Sequence, residues 1–263
     1  MKRNDCGLKN VSGRSEKAVA IDGGMRPKLF VEPKSDAHMM NVFEAIDTRL
    51  SCRAFLDKPV DQNTVRDLLD RAARAASGGN LQPWHIYALT GAPLAEIKRQ
   101  VAAFIEGRDP RHDEAEYPIY PKTLWEPYKS RREEHGVQLY GALGVTRDDA
   151  AGRLTQYKRN FEFFNAPVAL FIGIDRKLGP GQWADLGGYI HALAFLARGY
   201  GLDTCPQESW GRMHHLVRPF VKMPPEQMLF CAVAIGYGDR KHPANSFRSP
   251  RAPAAEFCTF FGF

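Results

Sequence analysis

The sequence lacks most of the short patterns that identify an enzyme class directly. Its 263 residues contain no G-x-G-x-x-G or phosphate-binding P-loop, no H-E-x-x-H and no G-x-S-x-G. These absences argue against a Rossmann-type dehydrogenase, a nucleotide hydrolase, a zinc protease and a serine hydrolase. Long hydrophobic runs are missing too, because the longest apolar run covers only 166–174 and is too short to span a membrane. We therefore expect no membrane association.

Cysteine is scarce and scattered. The five cysteines lie far apart, with no C-x-x-C pair and no histidine at ligand spacing, a distribution typical of reduced thiols rather than of disulfides or a zinc site. No apolar stretch of the kind found in secretory signal peptides follows Met1. The sequence thus predicts a cytoplasmic protein without a metal site.

Positive charge is in modest excess, and its location matters more than its total. There are 36 Lys and Arg against 30 Asp and Glu, a net charge of +6. Residues 1–38 carry eight basic and five acidic side chains, and residues 238–251 carry four basic side chains and one acidic one. The remaining body is close to neutral, so it offers no basic stripe for a nucleic acid. A non-enzymatic nucleic-acid-binding protein is therefore the weaker interpretation.

Two regions of different composition divide the chain. Residues 1–38 contain a single aromatic side chain, Phe30, among polar residues and glycines. Such a segment buries too little apolar surface to offset its loss of conformational entropy. We predict a flexible N-terminal extension over 1–38 and one folded domain over 39–263. With 44% hydrophobic residues, the chain has enough apolar surface for a substantial core.

Hydrophobic periodicity predicts an α+β domain with many helices and few strands. Helices are expected over 39–48, 61–76, 93–105, 129–164 and 186–200, and strands over 84–89, 168–174 and 229–237. Asp61 is the predicted N-cap of the second helix. Gly141 and Gly144 are expected to break the fourth helix. The stretch 107–128 combines four prolines with several aromatic residues, which indicates an irregular but packed excursion. Long loops of this kind are usually functional.

The segment 49–53 presents polar groups in an arrangement that suits an anion. If its backbone is extended, Arg49, Ser51 and Arg53 point to one side, because successive side chains of a strand alternate. Two guanidinium groups and a hydroxyl on one side would suit a phosphate. A solvated turn with helix-end arginines is the alternative interpretation.

Two further segments expose backbone and amide donors. The sequence of 77–84 is Ser-Gly-Gly-Asn-Leu-Gln-Pro-Trp; a helix C-cap followed by a turn explains its glycines but not the residues after them. The sequence of 205–210, Cys-Pro-Gln-Glu-Ser-Trp, follows a helix and a short strand candidate. Its backbone amides after the proline are free to point at a ligand.

Taken in this order, these segments resemble the FMN-dependent nitroreductase family. The resemblance rests on Arg49-x-Ser51-x-Arg53-x-Phe55, on Ala-Ala-Ser-Gly-Gly-Asn-x-Gln-Pro-Trp at 75–84, on Pro-Gln-Glu-Ser at 206–209 and on Phe-Arg-Ser-Pro-Arg-Ala-Pro at 247–253. It covers residues 40–263. Within the family, the sequence is most similar to bacterial reductases of nitroaromatic compounds such as nitrobenzoates and dinitroaniline herbicides.

The resemblance implies a fold, an assembly and a reaction. The fold would be nitroreductase-like, with helices flanking a mixed central sheet, in an intertwined homodimer that holds two FMN molecules in the subunit interface. NADH or NADPH would be the electron donor, and a small nitroaromatic substrate would be reduced in ping-pong, two-electron steps from nitro to nitroso and then to hydroxylamine or amine. A flavin reductase and a reductive dehalogenase are alternatives on the same scaffold.

The resemblance also implies the cofactor contacts, while the flavin itself would carry the chemistry. The phosphate and pyrimidine ends of FMN would be held by Arg49, Leu50, Ser51, Arg53, Arg248 and Arg251, with Arg53 near flavin N1. The contacts from the partner subunit would be Ser77, Asn80 and Gln82. The flavin ring would be lined by Pro206, Gln207, Glu208 and Ser209, with the Glu208 backbone N–H near N5.

Four aromatic residues in or next to the excursion are candidate walls of the substrate pocket: Tyr117, Tyr120, Trp125 and Tyr128. Packing of the excursion against the dimer is the alternative explanation for the same residues.

Overall fold

The computed structural model describes residues 40–263, so the extension predicted over 1–38 lies outside the described residues. In chain order the elements are α1 (Val42–Thr48), α2 (Gln62–Ala72), β1 (His85–Thr90), α3 (Gly91–Phe104), α4 (Tyr128–Ala142), α5 (Ala150–Lys158), β2 (Val168–Asp175), α6 (Pro180–Gly199), β3 (Asp203–Gln207), α7 (His214–Phe220), β4 (Gln227–Gly236) and α8 (Ala254–Phe257). The α+β class is confirmed. In this part of the chain, no helix is long and apolar enough to cross a membrane.

Side-chain caps set where the first two helices begin. The Asn41 side chain accepts a hydrogen bond from the Glu44 backbone N–H over 3.0 Å, and the Glu44 carboxylate accepts one from the Asn41 N–H. This reciprocal cap starts α1 at Val42, three residues later than predicted. The predicted cap of α2 is confirmed, because the Asp61 carboxylate accepts from the Thr64 N–H over 3.1 Å.

The helix predicted over 129–164 is divided into three pieces. α4 ends at Ala142, and Gly144 follows with a φ of +69°, which glycine adopts at no steric cost. After α5, the chain forms a 3-10 segment over Arg159–Asn165 in which Phe163 and Phe164 have φ values of +53° and +51°. Both rings are fully buried. Their burial holds a left-handed backbone that otherwise costs of order 1–3 kcal/mol per residue.

The four strands form one sheet in the order β1-β2-β4-β3, and every neighbouring pair is antiparallel. The mixed sheet expected from the resemblance is therefore corrected to an antiparallel one. The chain does return through α6 so that β2 and β3 run in the same direction, but β4 lies between them and pairs with both. Among residues 40–263, the one parallel contact is an isolated bridge between Ser51 and Thr204.

Two hydrophobic layers cover the faces of this sheet. On one face, α2 and α6 pack against β2 and β4 around Leu68, Leu193 and Ile172, all fully buried. On the other face, α3, α7 and the 159–165 segment pack around Phe171 and Trp210. β2 is buried along its length except at its last residue, as its continuous apolar sequence predicts for a strand covered on both faces.

Candidate active site

The 49–53 segment is attached to the outer edge of β3. Ser51 forms a bridge with Thr204, and the Cys52 N–H donates to the Thr204 carbonyl over 2.9 Å. The Arg53 N–H donates to the Asn245 side chain over 2.7 Å. These three contacts fix the segment between the sheet and the C-terminal part of the domain.

The side chains of this segment alternate as the sequence predicts. Cys52 is fully buried, and Leu50 packs partly buried against the same hydrophobic layer. Arg49, Ser51 and Arg53 retain accessible surface. An extended segment held against an edge strand therefore presents the two guanidinium groups and the hydroxyl on its accessible side.

Four arginines, which we call the arginine cluster, meet beside this segment: Arg49, Arg53, Arg248 and Arg251. Arg248 donates to the Arg49 carbonyl over 3.3 Å, and Arg251 donates to two carbonyls of its own turn. Arg53 likewise donates to a carbonyl, that of Ser51. Within residues 40–263, no carboxylate forms an ion pair with any member of the arginine cluster.

The arginine cluster is electrostatically incomplete. Burial lowers the pKa of Arg49, and the positive charges of Arg251 and Arg248 lower it further. Like charges that are partly removed from water repel each other, and an anion between them relieves both the repulsion and the desolvation. The arrangement is therefore suited to a phosphate group, whose oxygens accept charge-assisted hydrogen bonds from guanidinium.

Two nearby arginines instead share one carboxylate partner. The buried Asp203 carboxylate at the start of β3 accepts from Arg198 of α6 over 3.0 Å and from Arg240 over 2.5 Å. Arg198 also donates to the Thr48 hydroxyl over 3.3 Å, which ties the end of α1 to α6. Sequence reasoning gave no indication of this network, because its members are brought together only by the fold.

His135 of α4 is a second residue that sequence reasoning missed. Its Nδ1 lies 2.8 Å from the Ser249 hydroxyl, and its ring centroid lies 5.8 Å from that of Phe247. Burial lowers the pKa of His135, and the charges of Arg53 and Arg251 lower it further. The helix over 128–142 therefore contributes a titratable side chain beside the arginine cluster.

The end of β3 is anchored by two side chains that share one acceptor. Gln207 Nε2 and Trp210 Nε1 both donate to the Asn160 carbonyl, over 2.8 and 3.0 Å. The Trp210 ring is fully buried and stacks on Phe163 with centroids 4.4 Å apart. The bulky residue after Ser209 thus points into the core.

The residues on either side of Gln207 face outward. Pro206 and Glu208 are exposed, and Ser209 is half-buried. Although Glu208 has an exposed face, its carboxyl lies against protein, and this desolvation raises its pKa. The 206–209 segment therefore offers backbone and side chain to a ligand next to β3, while the Gln207 side chain points inward.

The 77–82 loop is rigidly built and exposed. Gly79, Asn80 and Gln82 have φ values of +58°, +58° and +49°. The Gln82 N–H donates to the Ser77 hydroxyl over 3.1 Å, and the Gly78 N–H donates to Asp185 over 3.1 Å. The loop holds Asn80 at its tip in a left-handed conformation that asparagine tolerates better than most residues.

Within one subunit, the 77–82 loop and the arginine cluster lie at opposite edges of the sheet. The 77–82 loop precedes β1 at one edge of the sheet, whereas the 49–53 segment lies outside β3 at the other edge. Three strand spacings of about 4.8 Å place these edges about 14 Å apart. The two halves of the predicted cofactor site are therefore separated within a single subunit.

The four candidate substrate residues fall into two groups. Tyr117 packs into the protein: its hydroxyl donates to the Phe230 carbonyl over 2.7 Å, and its ring stacks on Phe230 at 5.1 Å. Tyr120, Trp125 and Tyr128 are exposed. Trp125 and Tyr128 meet edge to face at 5.4 Å.

A buried carboxylate fixes the excursion that carries Tyr117. Glu116 accepts from the Leu229 N–H over 2.7 Å and pairs with Arg176 and with Arg218, the latter at 3.4 Å. Its side chain is 5% exposed. This anchor explains how a loop rich in proline keeps a defined position against β4.

The sequence matches a known family along most of the described domain. The model of the Nitroreductase family matches residues 46–237. The chain is 38% identical over 238 residues to a 4-nitrobenzoate reductase of Nocardioides sp. (strain LMS-CY), which covers 89% of this chain and 96% of the relative. It is 36% identical over 222 residues to a 4-nitrobenzoate reductase of Pseudomonas putida, with 84% and 96% covered.

Solved structures agree with this assignment. The FMN- and NADPH-dependent nitroreductase NfnB from Sphigopyxis sp. strain HMH has a TM-score of 0.81 and 40% identity over 85% of this chain and 100% of that one. The FMN-dependent NfnB from Mycobacterium smegmatis, solved with NADPH, has a TM-score of 0.78 and 25% identity over 83% and 97%. These matches establish that the chain belongs to the nitroreductase family.

Proposed function

We propose that this chain is an FMN-dependent oxidoreductase that uses NADPH or NADH to reduce nitroaromatic compounds. The observation that carries the proposal is the arginine cluster, which has no carboxylate partner within residues 40–263. In a member of the nitroreductase family, the FMN phosphate is the anion that suits such a cluster. The relatives named as 4-nitrobenzoate reductases and the NADPH-bound NfnB support the substrate class and the electron donor.

The residues around the arginine cluster fit FMN. Arg49, Arg248 and Arg251 would hold the phosphate, and Ser51 presents its hydroxyl on the same accessible side of the segment. Pro206 and Glu208 are exposed at the end of the same edge strand and would contact the flavin ring. When bound, FMN would accept a hydride from the nicotinamide and deliver electron pairs to the nitro group.

Arg53 has a separate role in this proposal. Its backbone is fixed by Asn245, and its guanidinium has no carboxylate partner in the described domain. It would stabilise the negative charge that develops at the N1 edge of the flavin. Arg53→Ala should make the flavin reduction potential more negative and slow turnover; an unchanged potential and turnover would exclude this role.

We propose further that the active unit is a homodimer in which each cofactor site takes residues from both subunits. The separation of the 77–82 loop from the arginine cluster supports this, because a second copy would place Ser77, Asn80 and Gln82 beside Arg251. α1 also exposes Val42, Phe43 and Ile46. Contiguous apolar surface of this kind usually marks an interface.

Subunit complementation tests this arrangement directly. A heterodimer of one Arg251→Ala chain and one Asn80→Ala chain should contain one intact site if the two residues come from different subunits. It should then bind one FMN per dimer with wild-type affinity, whereas each homodimeric variant binds weakly. Two equally weakened sites in the heterodimer would show that both residues act within one chain.

The reaction itself is tested by flavin spectroscopy on the purified protein. We expect a flavin absorbance band that NADPH or NADH bleaches without oxygen and that 4-nitrobenzoate restores. Faster restoration by free FMN or by a halogenated phenol would favour the flavin reductase or reductive dehalogenase alternatives. A colourless protein that FMN cannot reconstitute would refute the flavoenzyme proposal.

The exposed aromatic residues of the excursion are proposed to form the substrate-side wall. Trp125 and Tyr128 contact each other and remain accessible, as an adaptable wall requires. Trp125→Ala should change kcat/KM unequally across nitroaromatics of different size. Equal values for all of them would indicate that the residues only pack the excursion.

We also propose a cytoplasmic location. Four cysteines of the described domain, Cys52, Cys205, Cys231 and Cys258, are free thiols, and the first three are buried. Unpaired thiols are typical of a reducing compartment. Fractionation of the native host with an antibody to the chain would test the location, and recovery outside the cytoplasm would exclude it.

A further inference from the structure

α4 contributes a histidine at the edge of the arginine cluster, and the motifs that carry the family resemblance do not include it. His135 Nδ1 lies 2.8 Å from the Ser249 hydroxyl, and the ring is half-buried against Phe247. Ser249 lies between Arg248 and Arg251, so the histidine is bound to the turn that supplies half of the arginine cluster. Its position is set by a hydrogen bond and a ring contact rather than by a flexible surface conformation.

The charges that act on the ring are both positive. The charges of Arg53, in the segment after α1, and of Arg251, in the C-terminal segment, both act on it. On α4 itself, the neighbouring Arg131 is paired with Glu256 over 3.1 Å. Without an anion, a second proton on the imidazole would add a further positive charge to an already cationic site, so the neutral form is favoured.

We propose that His135 is an additional binding residue for the FMN phosphate and that it takes up a proton when the phosphate binds, so that FMN is held more tightly as pH falls from about 8 to about 6.5. The proposal rests on the proposed function, because it requires FMN at the arginine cluster. The chemistry is proton linkage: an anion beside the ring favours the imidazolium, which is then lost as pH rises through the pKa of the complex.

The hydrogen bond to Ser249 engages Nδ1 and leaves Nε2 available to an anion. A neutral imidazole that donates from Nδ1–H to the Ser249 hydroxyl has a bare Nε2. Protonation adds an N–H at Nε2 without breaking the contact to Ser249. The ring then acts as a donor to an anion, while the serine keeps its orientation fixed.

A packing role is the competing explanation, in which His135 only joins α4 to the C-terminal turn. The two explanations differ for riboflavin, which has the flavin ring but no phosphate. A binding role predicts a loss of affinity for FMN alone. A packing role predicts equal losses for FMN and riboflavin, because it would disturb the whole site.

The experiment measures the FMN dissociation constant from the fluorescence of flavin released on dilution of the holoenzyme, at pH 6.5, 7.25 and 8. In this range the FMN phosphate is mostly a dianion, since its second pKa is about 6. We expect the wild-type dissociation constant to rise by up to about fourfold over this range, which is the most that a one-unit upward shift gives when the pKa of His135 in the free protein lies below its usual value. In His135→Gln it should stay at the weaker, high-pH value throughout.

Two further variants and one ligand complete the test. His112→Gln, at an exposed histidine of the excursion, should keep the wild-type pH dependence. His135→Lys, with a permanent charge, should bind FMN at pH 8 nearly as tightly as the wild type does at pH 6.5. Protein loaded with riboflavin by exchange should show the same dissociation constant in wild type and His135→Gln.

The outcomes separate the two proposals. A wild-type protein that holds no flavin would refute the proposed function. Flavin binding with the same pH slope in wild type and His135→Gln would refute only the role of His135. An equal loss of affinity for FMN and for riboflavin in His135→Gln would also refute the role of His135 in phosphate binding and would indicate a packing role.

Discussion

The buried carboxylate of Asp203 is the clearest point at which the structure predicts an energetic effect. Its side chain is 3% exposed and accepts from Arg198 over 3.0 Å and from Arg240 over 2.5 Å. Asp203→Asn keeps the shape of the side chain and removes the charge. Both guanidinium groups then lose their counter-charge while the fold still requires them to lie where they are.

The size of the effect follows from the exposure of each partner. Removing one member of a fully buried ion pair costs about 3–5 kcal/mol. Arg240 is 43% exposed and keeps part of its hydration, whereas Arg198 is 12% exposed but also donates to the Leu202 carbonyl. We therefore expect a loss at the lower end, about 3 kcal/mol, which lowers Tm by roughly 6–12 °C for a domain of this size.

Thermal unfolding of the FMN-saturated protein measures this loss, with Glu96→Gln as a matched control. Glu96 pairs with Arg99 at the surface of α3, where both side chains are exposed, and its loss should leave Tm unchanged. If Asp203→Asn lowered Tm no more than the control, the buried network would contribute nothing and the reasoning would be wrong.

Three further predictions follow from the described contacts. Trp210→Ala should lower the free energy of unfolding by about 3–5 kcal/mol in urea unfolding, as the loss of a fully buried aromatic side chain does. Trp210→Phe should lower it by less than half of that. An equal loss of stability in both variants would contradict the contribution of stacking. Gly238→Ala would place a Cβ 2.4 Å from the Asp203 carboxylate and 2.9 Å from Cys52 Sγ. It should lower the free energy of unfolding by about 1–3 kcal/mol. An unchanged stability would mean that the turn relaxes freely. Burial raises the pKa of Glu208 in the folded state. Its ionisation therefore lowers the stability of the folded protein once pH exceeds the unfolded carboxyl pKa of about 4.3, and the loss of stability is complete above the folded pKa. Glu208→Gln should therefore have a higher Tm than wild type at pH 8 and an equal one near pH 4; a difference that does not depend on pH would refute this.

Much of the candidate site could be anticipated from the sequence because it rests on local rules. The alternation of Arg49, Ser51 and Arg53 follows from the period of extended backbone, and the structure confirms it. The cap at Asp61 and the buried strand β2 follow from equally local patterns. The roles of Tyr117, Tyr120, Trp125 and Tyr128 stay predictions, since no local rule distinguishes a pocket wall from packing.

By itself, the sequence determined the α+β class, most of the elements and the motifs that resemble the nitroreductase family. Only the tertiary structure decided that the sheet is antiparallel, that His135 lies against Ser249 and that Asp203 pairs with two arginines while the arginine cluster has no carboxylate partner within residues 40–263. The physical reason is the distance along the chain between the residues that interact. Periodicity and capping depend on neighbours within one or two turns, whereas His135 and Ser249 are 114 residues apart and meet only because helices and sheet bury their apolar faces together.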